Sequence, residues 1–387
     1  MVEVPGNPIQ VGLGLKHGCF LDDKGAPWCW GDNSAGQLGR AGTASTVPVK
    51  VTLLGAAKAT DLVSGDTFTC ALTDAQEVQC WGKVYTGDDS AVRRIKDAGG
   101  TQTLAQAVGL ASGRTHACAR ITDGTSTALE CWGTNANHEI GDGVDTSGSP
   151  FAVRITAHAL DKTGKKLDPA ALGFDQVTES LGGKGYTCAL RSREVYCWGR
   201  AKALVNTRVE TLATNAPLYL SSADHDSLIF DSLPDVDRML PQGRVDRGFC
   251  ALEAANDGRR LVCRSAGTNK DLLLTQIPLT GLSPGEISRV VGTRATLPGS
   301  ARNVPVLCLR QADAVKCFFG GARTDAPFPN ASADLKPVVG LDHGVSAFDA
   351  YPAATGLRIC GIESTTLKCA EGWAPPDAPA LKNVVGH

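Results

Sequence analysis

Fourteen cysteines fall into seven close pairs along this 387-residue chain: Cys19/Cys29, Cys70/Cys80, Cys118/Cys131, Cys188/Cys197, Cys250/Cys263, Cys308/Cys317 and Cys360/Cys369. None is left over. Between the members of each pair lies a turn candidate, such as Lys24-Gly25, Asp123-Gly124, Ser192-Arg193 or Asp257-Gly258, flanked by segments that alternate apolar and polar residues. Each pair therefore reads as two opposed positions of a β-hairpin, where Cα atoms about 4.5 Å apart can be bridged without distortion. Zinc would want two-residue cysteine spacings or nearby histidines, and spacings of nine to thirteen offer neither consistently, so no metal site is expected. Systematic disulfides point to an oxidising, extracytoplasmic setting: secreted, periplasmic or on a cell surface.

The pairs also set a period. Successive first cysteines lie 51, 48, 70, 62, 58 and 52 residues apart, a spacing at which repeat architectures are expected. The repeat is visible in the letters of Gly14–Gly39 (GLKHGCFLDDKGAPWCWGDNSAGQLG), Ser64–Gly82, Ser112–Gly143 and Gly182–Gly199: a glycine, two or three variable residues, an aromatic or histidine, a hairpin, then Trp-Gly. A chain this long needs such repetition, or two to three domains, because a single compact core stops growing at about 250–300 residues.

These segments resemble the repeats of the regulator of chromosome condensation family, which read approximately Gly-x-x-His-Thr-x-Ala-Leu and then Gly-x-Val-x-x-Trp-Gly-x-Asn-x-x-Gly-Gln-Leu-Gly. Trp30-Gly31-Asp32-Asn33-Ser34-Ala35-Gly36-Gln37-Leu38-Gly39 is a near-complete copy. After Trp198-Gly199 the pattern decays to the glycine turn and the cysteine pair, with Arg264-Ser265, Phe318-Phe319 and Ala370-Glu371 following the second cysteine. The resemblance implies an all-β fold, a single seven-bladed β-propeller over residues 1–387 with one disulfide-stapled hairpin per blade. Four-stranded blades bury their faces only by stacking on neighbours, so Trp30, Trp81, Trp132 and Trp198 are expected to pack between blades rather than to stack on a ligand. The recurring Gly14, Gly65, Gly113, Gly183, Gly243 and Gly292 are expected to give backbone freedom at a tight inner turn. With aromatics at 5% of residues the core is thin, and each disulfide closing a ten-residue loop is worth roughly 2–3 kcal/mol in the chain-entropy picture.

Two segments depart from the pattern. Residues 145–179 read as an insertion between the third and fourth hairpins, with Phe151–His158 and the polar Asp161–Lys165 suggesting an extra hairpin; it either reaches a partner or is a tolerated surface loop. The C-terminal Leu381–His387 repeats the segment that precedes each glycine turn. It either closes the ring against the first blade or starts a further repeat, since Ile9–Gly14 already supplies an equivalent strand.

No catalytic constellation emerges: Gly-x-Ser-x-Gly, a phosphate-cradling glycine loop and His-Glu-x-x-His are all missing, and no cofactor is expected. His17 and His116 stand where other repeats place Phe68 and Tyr186, which favours packing or a turn hydrogen bond over catalysis. Asp22-Asp23 and Asp88-Asp89 lack the spaced ligands and distal glutamate of a calcium loop. A net charge of −2 argues against nucleic acid, and apolar runs too short to cross a bilayer argue against membrane insertion. Met1–Gly6 lacks the features of a signal peptide. The informative variation lies between the repeat glycine and the hairpin, at Lys16, Asp66, Arg114, Lys184, Arg244, Arg294 and the pair Asp342 and His343. In the resembled family these loops form the face that binds partners, both in a nucleotide exchange factor for a small GTPase and in secreted inhibitors of β-lactamase. The expectation is a monomeric, non-catalytic binding module whose basic rim engages a protein or an anionic polymer. The competing readings are a merely solvated surface and an extracytoplasmic hydrolase or lyase with its site in the central funnel.

Overall fold

The computed structural model describes residues 6–85, 91–136, 138–141, 146–155, 306–319, 335–354 and 356–373 with their side chains. It also describes residues 185, 187–189, 291 and 296, and the backbone of further strands between 177 and 305 and at 382–383. The described strands form seven four-stranded antiparallel sheets, each built from four strands consecutive in sequence. The first sheet holds Pro8–Leu13, His17–Asp22, Pro27–Gly31 and Ser45–Lys50. The second holds Ala59–Ser64, Phe68–Thr73, Val78–Gly82 and Arg93–Arg94, and the third Ala107–Ser112, His116–Thr122, Thr127–Thr134 and Gly148–Arg154. The fourth, fifth and sixth begin at Val177–Gly182, Val236–Met239 and Ile287–Thr296. The seventh comprises Val345–Pro352, Leu357–Glu363, Thr366–Trp373 and Lys382–Asn383.

All seven cysteine pairs face each other in register across the second and third strands of their sheets. Among the described residues five of them are disulfides, at Cys19–Cys29, Cys70–Cys80, Cys118–Cys131, Cys308–Cys317 and Cys360–Cys369, with Cα atoms 4.0–4.1 Å apart. The other two expected links, Cys188–Cys197 and Cys250–Cys263, differ in what supports them. Cys188 is disulfide-bonded and stands opposite Cys197, and Cys250 stands opposite Cys263. The side chains of Cys197, Cys250 and Cys263 lie outside the described residues, so these two pairs rest on backbone register and not on a bridge geometry.

The cross-links lie inside the packing rather than at its edge. Cys19 and Cys29 of the first sheet share an apolar cluster with Leu62, Ala71 and Trp81 of the second. Trp132 of the third sheet packs with Val63, Phe68 and Cys70 of the second. Trp30 joins a cluster of Val11, Leu13 and Phe20 with Tyr351, Cys360 and Ile362 of the seventh sheet. Trp30, Trp81 and Trp132 thus bury surface against a neighbouring sheet, the contact a four-stranded sheet needs to cover its second face, while the side chain of Trp198 lies outside the described residues.

Two sequence expectations are revised. Residues 145–179 are not a free-standing insertion, because Gly148–Arg154 is the fourth strand of the third sheet and Val177–Gly182 the first strand of the fourth. The candidate turn Asp161–Lys165 lies outside the described residues. Of the C-terminal segment, Lys382–Asn383 is described, and it is the outer strand of the seventh sheet, opposite Lys368 and Cys369, rather than a strand beside Pro8–Leu13.

Candidate functional site

Each sheet has two ends. One carries the turn from first to second strand, here the turn end; the other carries the hairpin tip between second and third strands, here the tip end. The first strands of the first three sheets touch in succession, and that of the first sheet also touches that of the seventh, which brings their turns together. At each of the first three turns the repeat glycine donates its N–H across the turn, Gly14 to His17, Gly65 to Phe68 and Gly113 to His116, all at 2.9 Å. The glycine is required for space rather than for backbone freedom. A Cβ on Gly14 would lie 2.1 Å from the His17 ring, and one on Gly65 2.0 Å from the Phe68 ring, while neither backbone takes a positive φ. Positive φ belongs to the Trp-Gly glycines instead, Gly31 at 101° and Gly133 at 112°, where the third strand turns away beneath the carbonyls of Lys16 and Thr115.

Main-chain bonds then tie the turns into one rim. Leu15 donates its N–H to the Asp66 carbonyl at 3.0 Å, and Asp66 donates its own to the Arg114 carbonyl at 2.7 Å. The side chains repeat the link: the Arg114 Nε lies 2.8 and 3.0 Å from the two oxygens of Asp66. The Tyr351 hydroxyl, from the seventh sheet, donates to the same carboxylate. Arg358 reaches the Leu15 carbonyl at 3.3 Å while paired with Glu371 at 2.6 Å. Asp66 is thereby bonded to turns or strands of the first, third and seventh sheets. Lys16 is exposed. Its neighbour Asp32 is held below the usual carboxylate range, chiefly by the Ser34 hydroxyl, with the Lys16 charge assisting.

The loop after the third strand frames this rim. Asn33 accepts the Leu38 N–H at 2.9 Å and donates to the carbonyls of Arg40 and Gly42 at 3.0 and 2.8 Å. Asn135 does the same work in the third sheet, accepting the Ile140 N–H at 3.1 Å. Each closes its loop so that Leu38 or Ile140 is buried.

Of the eight rim positions read from the sequence, the structure brings Lys16, Asp66 and Arg114 together. Lys184 and Arg244 lie outside the described residues. Arg294 is in the first strand of the sixth sheet, opposite Pro305, not in a turn. Asp342 and His343 lie at the tip end, where His343 is 3.6 Å from both Asp342 and Glu363. The cause is a longer first hairpin. Gly292 pairs with Leu307 within strands that run on to Thr296 and Asn303, and in the seventh sheet the turn falls after Pro352, so Val338-Val-Gly340 precedes the sheet instead of turning within it. Tyr351, Arg358 and Asp349 were missed in the sequence because they sit in that displaced repeat.

The two repeat-position histidines join sheets. His17 Nε2 is 3.0 Å from the Thr69 hydroxyl, itself 3.0 Å from Ser64. His116 Nε2 is 2.7 Å from the Thr187 hydroxyl, which donates to the Glu139 carbonyl at 2.7 Å. With its one hydrogen given to Glu139, Thr187 accepts from His116, so the imidazole carries its proton on Nε2. Among the described residues no partner reaches Nδ1. Burial pushes the His116 pKa down to about 4, against an opposing pull from Glu139. Asp22 is likewise structural: its carboxylate accepts the N–H groups of Lys24 and Ala26 and the Trp28 indole. Asp88 and Asp89 lie outside the described residues.

Comparison with known proteins agrees with these turns. Two sequence models described as the regulator of chromosome condensation (RCC1) repeat match residues 24–72 and 9–37. Residues 9–72 carry RCC1 repeats. The human and mouse E3 ubiquitin-protein ligase HERC2 are each 32% identical to it over 171 residues, 43% of this chain and 3% of those proteins. Human WBSCR16 superimposes with a TM-score of 0.63 at 14% identity, covering 94% of this chain and 88% of that one. Prp20p of Saccharomyces cerevisiae does so at 0.55 and 15% identity, covering 91% and 81%; its binding properties toward Gsp1p and histones have been described. The likenesses place the chain in the all-β propeller architecture of RCC1-repeat proteins.

Proposed function

We propose that residues 1–387 form one closed seven-bladed propeller with a disulfide in every blade, that the chain works outside the cytoplasm, and that its turn end docks a partner protein. The observation that carries this reading is the rim itself. Three successive turns are locked by main-chain bonds and by the Arg114–Asp66–Tyr351 contacts, so a partner meets a surface already ordered, with little conformational entropy left to lose. Among the described turn residues Lys16 is the cation that Asp66 does not neutralise. A rim of paired charges with loops between them suits the mixed chemistry of a protein surface better than a polyanion. The disulfides support the extracytoplasmic setting, and the backbone register of Cys188 with Cys197 and of Cys250 with Cys263 supports a link in the fourth and fifth sheets as well. The buried His116 and Asp349 are engaged in contacts between sheets, which favours a binding role over a funnel enzyme.

The test combines affinity capture from native extracellular fluid with variants at both ends. Lys16→Glu with Arg244→Glu is expected to leave the melting temperature unchanged and to weaken capture about tenfold or more, with wild-type binding also falling as salt rises from about 0.15 to about 0.6 M. Normal binding by that variant, together with loss of binding by Asp342→Lys at the tip end, would move the docking face to the other rim. Competition by a sulfated polysaccharide but by no protein would replace the protein partner with an anionic polymer.

A further inference from the structure

The seam between the first and last sheets differs from the others. Opposite the first cysteine of each hairpin, the first strand places Gly12, Val63, Ala111, Leu181 and Val291 in five of the sheets. In the seventh sheet that position is Asp349, facing Cys360. Asp349 is fully buried, in a strand that carries Phe348, Ala350 and Tyr351 in the core. Its Oδ2 accepts the N–H of Leu13, the last residue of the first strand of the first sheet, at 2.8 Å, across 336 residues of sequence. Its Oδ1 accepts the N–H of Ala350 at 3.0 Å.

The placement has a physical reason. Sheets that follow one another in sequence are held near each other by a short linker, whereas the first and seventh meet only after the whole ring has been laid down, so their contact carries the largest loop-closure entropy in the fold. Among the described strands none is shared across this seam, since the first sheet takes its four strands from residues 8–50 and the seventh from residues 345–383. An apolar contact alone is also indifferent to register, whereas a carboxylate on a strand-end N–H fixes one residue against one other, and charge-assisted bonds of this kind are roughly twice as strong as neutral ones. Two bonds at the rim act in the same direction, Tyr351 to Asp66 and Arg358 to Leu15.

We propose that Asp349 is the latch of the ring: it pins the seventh sheet to the first through Leu13, and the seam it holds is where the ring opens when it opens at all. The proposal rests on the closed ring proposed above. Hydrogen–deuterium exchange of the full-length, disulfide-bonded chain tests it, following peptides that cover 8–13 and 345–352 against 107–112 as a control. Asp349→Val, which installs the residue that Val63 and Val291 supply elsewhere, is expected to speed exchange in both seam segments by on the order of 10- to 100-fold, the range for losing a hydrogen bond to a buried charged group. The control segment should keep its native rate. Native protection at 8–13 in the valine variant, or equal acceleration of all three segments, overturns the latch. Should that variant fail to fold, Asp349→Asn decides: faster exchange confined to the two seam segments supports the latch, and unchanged or uniform exchange overturns it. Fast exchange of 8–13 in the wild-type chain would remove the closed ring itself, an outcome distinct from either.

Discussion

Exchanging His116 for phenylalanine and Thr187 for alanine would rewrite one sheet interface in the chemistry of its neighbour. The second sheet presents Phe68 at the position of His116, and the third presents Ala117 at the position of Thr187; both lie in one apolar cluster. Thr187→Ala alone strands a buried imidazole N–H and takes the hydroxyl from the Glu139 carbonyl, a loss of about 1–3 kcal/mol. The double variant removes donor and acceptor together, and Gly113 keeps the turn over which a ring can lie. A coupling of about 1–2 kcal/mol between the two sites is therefore expected in denaturant unfolding.

The same pair predicts a pH signature. Burial holds the folded-state pKa of His116 near 4, below the unfolded value of 6.5. Above pH 6.5 the group is neutral in both states and contributes no pH dependence. Between 6.5 and 4 the unfolded chain binds the proton and the folded chain does not, so stability falls with pH; below 4 the loss levels off. At pH 5, about 1.5 units below the unfolded pKa, this amounts to about 2 kcal/mol. Urea unfolding at pH 7.5 and pH 5 should therefore show the wild type losing about 2 kcal/mol more than His116→Phe over that interval. Equal losses in the two proteins would refute the assignment of His116 as a buried neutral link.

The remaining expectations are simpler to test. Gly65→Ala should cost about 1–3 kcal/mol, because its Cβ would lie 2.0 Å from the Phe68 ring, whereas Gly124→Ala, with open space around a φ of +91°, should cost only about 1 kcal/mol of backbone strain; equal costs would undo the spatial account of the repeat glycine. Trp81→Ala should lose about 3–5 kcal/mol, read by thermal unfolding, since the side chain is fully buried between the first two sheets. Cys19, Cys29, Cys70 and Cys80 are fully buried, so dithiothreitol followed by alkylation and mass spectrometry should leave them oxidised in the native state and modify them only in denaturant. Replacing residues 156–176 with a short Gly/Ser linker should leave a folded chain, and extending the deletion through Gly148–Arg154 should not, because that removes a paired strand.

How far the sequence could be read depended on whether a feature is local to one hairpin. The cysteine pairs are: two residues nine to thirteen apart across a tip turn face each other whatever surrounds them, and all seven pairs do. The turn glycines are less local. Glycine followed by two residues and a ring reads as a tight turn where the first hairpin is short, as at Gly14 and Gly65, but Gly292, followed by Thr293, Arg294 and Ala295, lies mid-strand, where that hairpin runs on to Thr296 and Asn303. The seventh repeat hid its tryptophan for a similar reason. Trp373 follows Cys369 by four residues rather than one, yet it pairs with Leu357 and packs against Phe319 of the sixth sheet at 5.5 Å. The Asp66–Arg114–Tyr351 contact was out of reach altogether, since it joins sheets far apart in sequence through side chains that are each ordinary in their own repeat.

A series of like four-stranded sheets has an assembly problem that those variable positions address. If every interface were the same, sheets could stack in the wrong order with no energetic penalty, the characteristic misfolding hazard of repeat proteins. Here the forward-facing residue of one sheet is matched to the backward-facing residue of the next: His17 to Thr69, Phe68 beside Ala117, His116 to Thr187. Exchanging the second and third sheets would set His17 against Ala117 and Phe68 against Thr187. The first mismatch buries an imidazole without its hydroxyl partner and the second sets an apolar ring against a hydroxyl, each worth about 1–3 kcal/mol against the wrong order. At the last seam the match is of another kind, a carboxylate on a main-chain N–H at Asp349 and Leu13. That bond needs no particular side chain at position 13, only a strand end in one place, so it specifies where the seventh sheet meets the first rather than which sheet comes next.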